Sequence, residues 1–370
     1  MLDTAPVATL PKVSSQKTNI RKADLLKELA QYAKPSNSRG LLLAAQELAI
    51  YWGAIALVLF APWLAVKIIA SAVAGFKLTS FYTLGHDATH RTLVANGRLN
   101  WVLAMVFSVP AMQNYRLWIL DHHLQHHPKT NGEQHDFYQP FSKSEFDRLS
   151  PMRQWFERFV RFPNIVGFGI NFFFPWLLAT RVMPNHETPP AYRREAWGYF
   201  AVLIAYQAAF LTFLVHAPDF APITLRSSLV LGYFVPLVIF ATVTGASLYL
   251  MHTHRNIPWF KGNLTRKGDF APELCATHLT LPRPLSKFVH HVFAHSAHHA
   301  HAGVPVYNLL DAQLHLNRLL GDRLVVEPLS LWGALATMNA CKLYDYDKHQ
   351  WLDFDGKPTA PAIKLESRAG

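Results

Sequence analysis

Four stretches of the chain run almost unbroken in apolar residues: roughly 41–60 (LLLAAQELAIYWGAIALVLF), 62–84 (PWLAVKIIASAVAGFKLTSFYTL), 197–217 (WGYFAVLIAYQAAFLTFLVHA) and 227–250 (SSLVLGYFVPLVIFATVTGASLYL). Each is close to the ~20 residues an α-helix needs to cross the hydrocarbon core of a bilayer. Almost no loop separates the first two, and a short loop joins the last two, so the pattern predicts two transmembrane hairpins. Gln46, Glu47, Lys67 and Lys77 interrupt the first hairpin and are expected to face the bundle interior or to snorkel to an interface. Two shorter runs, 99–112 and 165–178, contain Pro110 and Pro175 and predict interfacial or re-entrant helices. Residues 11–40 are polar and basic, with one short amphipathic piece, ADLLKELAQYA.

Composition agrees with a membrane setting. Of the 370 residues 51% are hydrophobic and 16% charged, well under the roughly 25% charged residues of a soluble domain. A large soluble helical protein with apolar core helices is the alternative, and the span lengths and low charge argue against it. Lys and Arg number seven before residue 41, twelve over 86–196, one (Arg226) between the last two spans and thirteen from 252 onward, with Lys67 and Lys77 inside the second span. The positive-inside rule then places both termini and the long central loop in the cytoplasm and both hairpin tips outside. The net charge of +11 is thereby explained by topology, and no nucleic-acid partner is needed. The fold class expected is an all-α integral membrane protein: four transmembrane helices in two hairpins with a cytoplasmic, histidine-rich helical cap. The first forty residues hold Asp3 and no apolar h-region, and do not read as a cleaved secretory signal.

Cys275 and Cys341 are the only cysteines, which excludes a disulfide framework, a zinc ribbon and an iron–sulfur cluster held by this chain alone. Any metal must be held by nitrogen and oxygen. Histidines supply them: His86 and His90 (HDATH) where the second span ends, and His123, His126 and His127 (HLQHH) after an interfacial run. His252 and His254 (MHTH) stand where the fourth span ends, and His295, His298 and His299 (HSAHH) lie in the C-terminal cap. On an α-helix residues i, i+3 and i+4 share a face, so three such helices converging would surround a small volume with eight nitrogens, and His252 offers a ninth. That exceeds what one tetrahedral zinc uses and suits two metal ions, with iron compatible. One HxxxH alone is commonly surface decoration; two HxxHH and one HxxxH on one membrane face are not. Asp87, Asp121 and Asp136 stand beside the boxes as candidate acceptors fixing the imidazole tautomers. His122, His135, His290, His291 and His301 flank the boxes. His122 in particular is left over by α-helical spacing, and is expected behind the ligands or in solvent rather than on a metal.

With GHDATH, HLQHH and HSAHH in this order between apolar hairpins, the sequence resembles the integral-membrane fatty acid desaturase family. HHPKTNGEQHD, YLMHTHRNIPWF and HHAHAGVPVYNL extend the likeness, over about residues 40–320. The resemblance implies a membrane desaturase domain over 41–320 between cytoplasmic tails at 1–40 and 321–370. It also implies a non-haem diiron centre, two Fe ions held by His86, His90, His123, His126, His127, His295, His298 and His299. The additional ligand is best matched by His252, with His254 as competitor. Met251 departs from the pattern, since relatives often carry a polar residue there. The implied reaction is O2-dependent introduction of a double bond into a fatty acyl chain linked to lipid, coenzyme A or carrier protein, with an acyl-lipid favoured. Electrons would come from a separate ferredoxin, rubredoxin or cytochrome. Trp118, Tyr249 and Trp259 lie near the boxes and are expected to pack or to anchor at the interface.

Two other readings use the same residues. A membrane hydroxylase, ketolase or acetylenase acting on an alkyl, sterol or carotenoid substrate shares the boxes; the HHAHAGVPVYNL region favours the desaturase. A metal transporter would want ionisable ligands lining a path near the bilayer midplane, whereas these histidines gather at one face.

Overall fold

The computed structural model describes residues 22–132, 138–261 and 272–365. A short helix, α1 (Lys22–Leu29), is the observed form of the amphipathic piece, and it buries Leu25 and Leu29. Among the described residues four helices are long and apolar enough to cross a membrane: Asn37–Phe60, Leu64–Thr89, Pro190–Asp219 and Leu225–His252. The first two are α2 and α3. Ser36 caps α2, its side chain accepting from the Arg39 N–H, and α2 stops where Ala61, preceding Pro62, is forced extended.

The first shorter run becomes α4 (Gly97–Ser108), capped by Asn96. Next comes α5 (Tyr115–Trp118), which widens into a π-helical stretch at Ile119–His126. After α6 (Lys143–Asp147) and α7 (Pro151–Val160), the second shorter run forms α8 (Ile165–Asn171) and a further π-helical stretch, Phe172–Val182. Pro175 sits within the latter, where wider winding tolerates a residue without an N–H. The third span is α9 (Pro190–Val215) with a final 3₁₀ turn. The fourth is α10 (Leu225–Leu229), a π turn and α11 (Val235–His252).

Close helix approach sets where the spans end relative to one another. A Cβ on Gly75 of α3 would lie 2.7 Å from the Ile239 Cβ, and one on Gly245 of α11 would lie 2.6 Å from the Phe168 carbonyl oxygen of α8. Glycine at these two positions lets α11 lie against both neighbours, which brings the His86 end of α3 beside the His252 end of α11. Tyr51 and Phe81 pack with ring centroids 5.0 Å apart between α2 and α3.

The polar interruptions of the first two spans are accounted for. Lys77 donates to both Glu47 oxygens, at 3.2 and 2.9 Å, in full burial, and the His290 ring comes within 3.5 Å of the same carboxylate. Lys67 donates to the carbonyls of Val58 and Leu59, which the end of α2 leaves without helical partners. Gln46 is exposed.

The cap departs from the all-helical expectation. Besides α12 (Arg283–Phe288), α13 (His295–Ala300), α14 (Leu309–Leu320) and α15 (Leu331–Ala340), it holds two small sheets. β1 (Thr277–Thr280) pairs in parallel with β2 (Val325–Pro328), Thr277 opposite Val325. β3 (Leu343–Asp345) and β4 (Gln350–Leu352) are antiparallel, Leu343 opposite Leu352. Strands of three or four residues are too short to show alternation in the sequence.

The Glu47–Lys77 pair generates a stability prediction. Lys77→Met leaves a buried carboxylate without its main partner and is expected to destabilise the protein by about 3–5 kcal/mol. The double variant Glu47→Gln/Lys77→Met should lose far less. Thermal unfolding in one detergent compares them.

Candidate metal centre

The end of α3 presents His86 and His90 one helical turn apart, with ring centroids 4.7 Å from each other. α13 presents His295, His298 and His299, all buried, and α11 presents His252 at its last residue. Between them runs the π-helical stretch of the second box. There the backbone N–H of His127 bonds to the carbonyl of His122, an i to i+5 contact. That winding changes which box histidines share a face.

The imidazoles fall into two groups, in each of which one nitrogen per ring lies within 4.8 Å of all the others: His86, His90, His122, His127 and His298, and His126, His252, His295 and His299. In the first, the Nε2 of His122 is 2.7 Å from that of His86 and 3.1 Å from that of His127, which lies 3.0 Å from the Nε2 of His298. In the second, the Nε2 of His295 is 2.8 Å from that of His252 and 3.1 Å from that of His299.

Eight of the nine histidines anticipated from sequence, seven box residues and His252, come together. His123 does not join them: its Nε2 lies 3.1 Å from the Thr89 hydroxyl, and its ring stacks on His90. His122 takes that place. α-Helical spacing pairs residues 123 and 127, whereas i to i+5 winding pairs 122 and 127. His254 turns away, its Nε2 3.2 Å from a Glu327 oxygen.

Tautomers are fixed from behind. The Nδ1 of His252 donates to the Cys275 carbonyl at 3.2 Å, which directs Nε2 into the cluster. Thr130 donates its hydroxyl to the His126 carbonyl at 2.8 Å and accepts from the Nδ1 of His299 at 3.2 Å. Asn131 donates to the carbonyls of His252 and Pro258, tying the second box to the end of α11.

Of the candidate carboxylates, the structure places Asp87 and Asp121. Asp87 accepts the Val306 N–H at 2.6 Å, and its other oxygen is 3.7 Å from the His86 Nδ1. Asp121 pairs with Arg181. Asp136 and His135 lie outside the described residues.

Sequence reasoning missed Arg181, whose only sign was a charge ending an apolar run, and the wall of the adjoining cavity. That cavity, about 70 Å³, is lined by His86, His122, His126, His252, His295 and His298 together with Tyr82, Trp176, Leu248, Met251 and Val292. Trp118, Tyr249 and Trp259 are buried and do not line it; they pack against Tyr82, Tyr138 and Trp351 in turn.

A donor set of this kind fits metal. A neutral imidazole Nε2 either donates or accepts, and one N–H serves one linear bond. Chains of Nε2 atoms at about 3 Å therefore leave lone pairs facing lone pairs unless cations accept them, and the Nε2 of His90 is buried with no hydrogen-bond partner among the described residues. Burial, reinforced by neighbouring imidazoles, pushes His90, His122, His127, His295, His298 and His299 well below the ordinary value of 6.5. Burial and the Arg181 guanidinium bring His123 down to about 4. Neutral imidazole is the form that binds metal.

Two outcomes are expected. His122→Ala should lose bound metal while His123→Ala retains two ions per chain, measured by inductively coupled plasma mass spectrometry; the reverse would restore α-helical pairing of the second box. Between pH 6.5 and about 4, the two values for His123, the unfolded chain binds protons that the buried ring refuses. Stability of the metal-free protein should therefore fall as pH is lowered through that window, read as a declining Tm.

Comparison with known proteins agrees with the site. Residues 59–327 match the family model described as fatty acid desaturase. An omega-6 fatty acid desaturase of the chloroplast from Spinacia oleracea is 24% identical over 78% of this chain and 61% of its own length, so the chain spans less than two thirds of that relative. An sn-1 oleoyl-lipid 12-desaturase from Anabaena variabilis is 24% identical over 80% of this chain and 81% of its own length. An sn-1 acyl-lipid omega-3 desaturase (ferredoxin) from Synechocystis sp. is 24% identical over 71% and 70%. With four membrane-length helices and the histidine boxes gathered into two metal-competent groups, the chain belongs to the fatty acid desaturase family.

Proposed function

We propose that the chain is an integral-membrane acyl desaturase that introduces a double bond into a lipid-linked fatty acyl chain. The observation that carries this reading is the shared boundary of the two histidine groups and the apolar cavity, which sets a methylene segment against the metal-holding nitrogens. The spans form two hairpins with the boxes and both termini on the cytoplasmic side, supported by the distribution of Lys and Arg. Iron suits a thiolate-free, imidazole-rich site. His86, His90, His122, His127 and His298 would hold one ion, and His126, His252, His295 and His299 the other. When bound, the two irons would supply reductive activation of dioxygen, so that one O2, two electrons and two protons leave a double bond and two waters.

The protein's own residues do the rest. Tyr82, Trp176, Leu248, Met251 and Val292 keep water from the methylenes and orient them towards the histidines. Cys275, through its carbonyl, and Thr130 hold His252 and His299 in the ligating tautomer. Cys275 and Cys341 are too few to hold a cluster, and a separate electron-donor protein is favoured. A ferredoxin is favoured because the Synechocystis relative carries that donor in its name; rubredoxin and cytochrome are the other candidates. An acyl-lipid substrate is favoured because two relatives are named for one.

Expression with a matched electron donor, followed by mass-spectrometric profiling of host acyl chains, tests the reading. New double bonds that require oxygen and vanish in His126→Ala are expected. Hydroxylated products, or no product from protein verified to carry two irons, would overturn it.

A further inference from the structure

The cavity beside the histidines is apolar over most of its wall; besides the imidazoles, Asp87, Asp121 and Arg181 are its acidic and basic lining residues, and Arg181 is the one cation among them. Arg181, the residue before the last of the π-helical stretch 172–182, is 3% exposed and borders the same cavity as His86 and His122. Its guanidinium lies 4.4 Å over the Trp176 ring. One nitrogen, Nη2, pairs with Asp121, while Nε and Nη1 are buried and have no acceptor among the described residues. A buried guanidinium with donors unused is costly unless an oxygen meets them.

We propose that Arg181 is the polar end of the acyl site, its free Nε and Nη1 donating to a carboxyl or carbonyl oxygen of the substrate while the attached chain lies along the apolar wall towards the histidines. This rests on the reading of the protein as an acyl desaturase and names the part of the substrate recognised beside the site. Asp121 decides the kind of oxygen. Its carboxylate already offsets much of the Arg181 charge and would repel a phosphate dianion, whereas a singly charged carboxylate or a neutral carbonyl needs only the two N–H groups that remain. The planar guanidinium, held flat by Trp176, presents them in fixed geometry. The volume of about 70 Å³ is several times the ~10–15 Å³ that one water fills on the same measure, so the space next to Arg181 admits more than a single solvent molecule.

The test is binding, which needs no turnover, so its failure is distinguishable from failure of the desaturase reading. Radiolabelled stearic acid, methyl stearate and octadecane are titrated onto the full chain in nanodiscs with its metal content verified. The wild type is compared with Arg181→Lys, Arg181→Met and the charge-balanced double variant Asp121→Asn/Arg181→Met. The wild type is expected to bind one or both oxygen-bearing ligands at least tenfold more tightly than octadecane. The two Met variants should lose that preference with octadecane binding unchanged, and Arg181→Lys should recover part of it. Preference for the acid alone identifies a carboxylate, and equal preference a carbonyl common to acids and esters. Equal binding of all three ligands by the wild type would overturn the proposal. So would a double variant that melts like the wild type and keeps its preference.

Discussion

Nine imidazoles packed nitrogen to nitrogen in a buried pocket are the constraint on which this structure is organised. Burial keeps His90, His122, His127, His295, His298 and His299 in the neutral form, and neutral rings facing one another at about 3 Å cannot all be satisfied by their own protons. Cations relieve that conflict. The scaffold's task is to hold the rings in place against mutual repulsion, and it does so with groups that bind the backs of the rings or the backbone that carries them.

Those supports come from far apart in the chain. Thr130 and Asn131 join the second box to His299 and to the end of α11. The segment after the third box reaches the first: Asp87 accepts the Val306 N–H, and the Tyr307 hydroxyl accepts the Ser36 N–H at the start of α2. Arg39 lies over the Tyr307 ring and donates to Asn308. The stretch VPVYNL thus acts as a clasp between cap and spans, and Gln313 of α14 accepts the Ala297 N–H to seat α13. Glycine does the corresponding work between the spans: a side chain at 75 would push α3 from α11 and separate His86 from His252, and one at 245 would push α8 from α11.

How legible each part was depended on the range of the interaction behind it. The four spans were readable because some twenty apolar residues in a row have few soluble uses. Their ends were not: α3 runs on through the polar HDAT to Thr89, where Asp87, Ala88 and Thr89 are buried although hydropathy has stopped. Eight of the nine residues that gather at the site follow from HxxxH, HxxHH and His252. His122 does not, because the helical period itself changes over residues 119–126. The two small sheets were illegible, as β1 finds β2 across 48 positions of sequence.

The sequence by itself determined the solvent and the chemistry: apolar runs long enough for a bilayer, and clustered neutral nitrogens in a chain without a thiolate set. Both are local properties, carried by composition and by spacing within a single helix. Tertiary structure alone decided which nitrogens converge, that His254 and His123 face elsewhere, and that Asp121 serves Arg181 rather than an imidazole. It also decided that Glu47 and Lys77 neutralise each other. Each of these depends on a partner from another element, and both the winding of a backbone and the distance between two helices are set by packing rather than by the residues on either one.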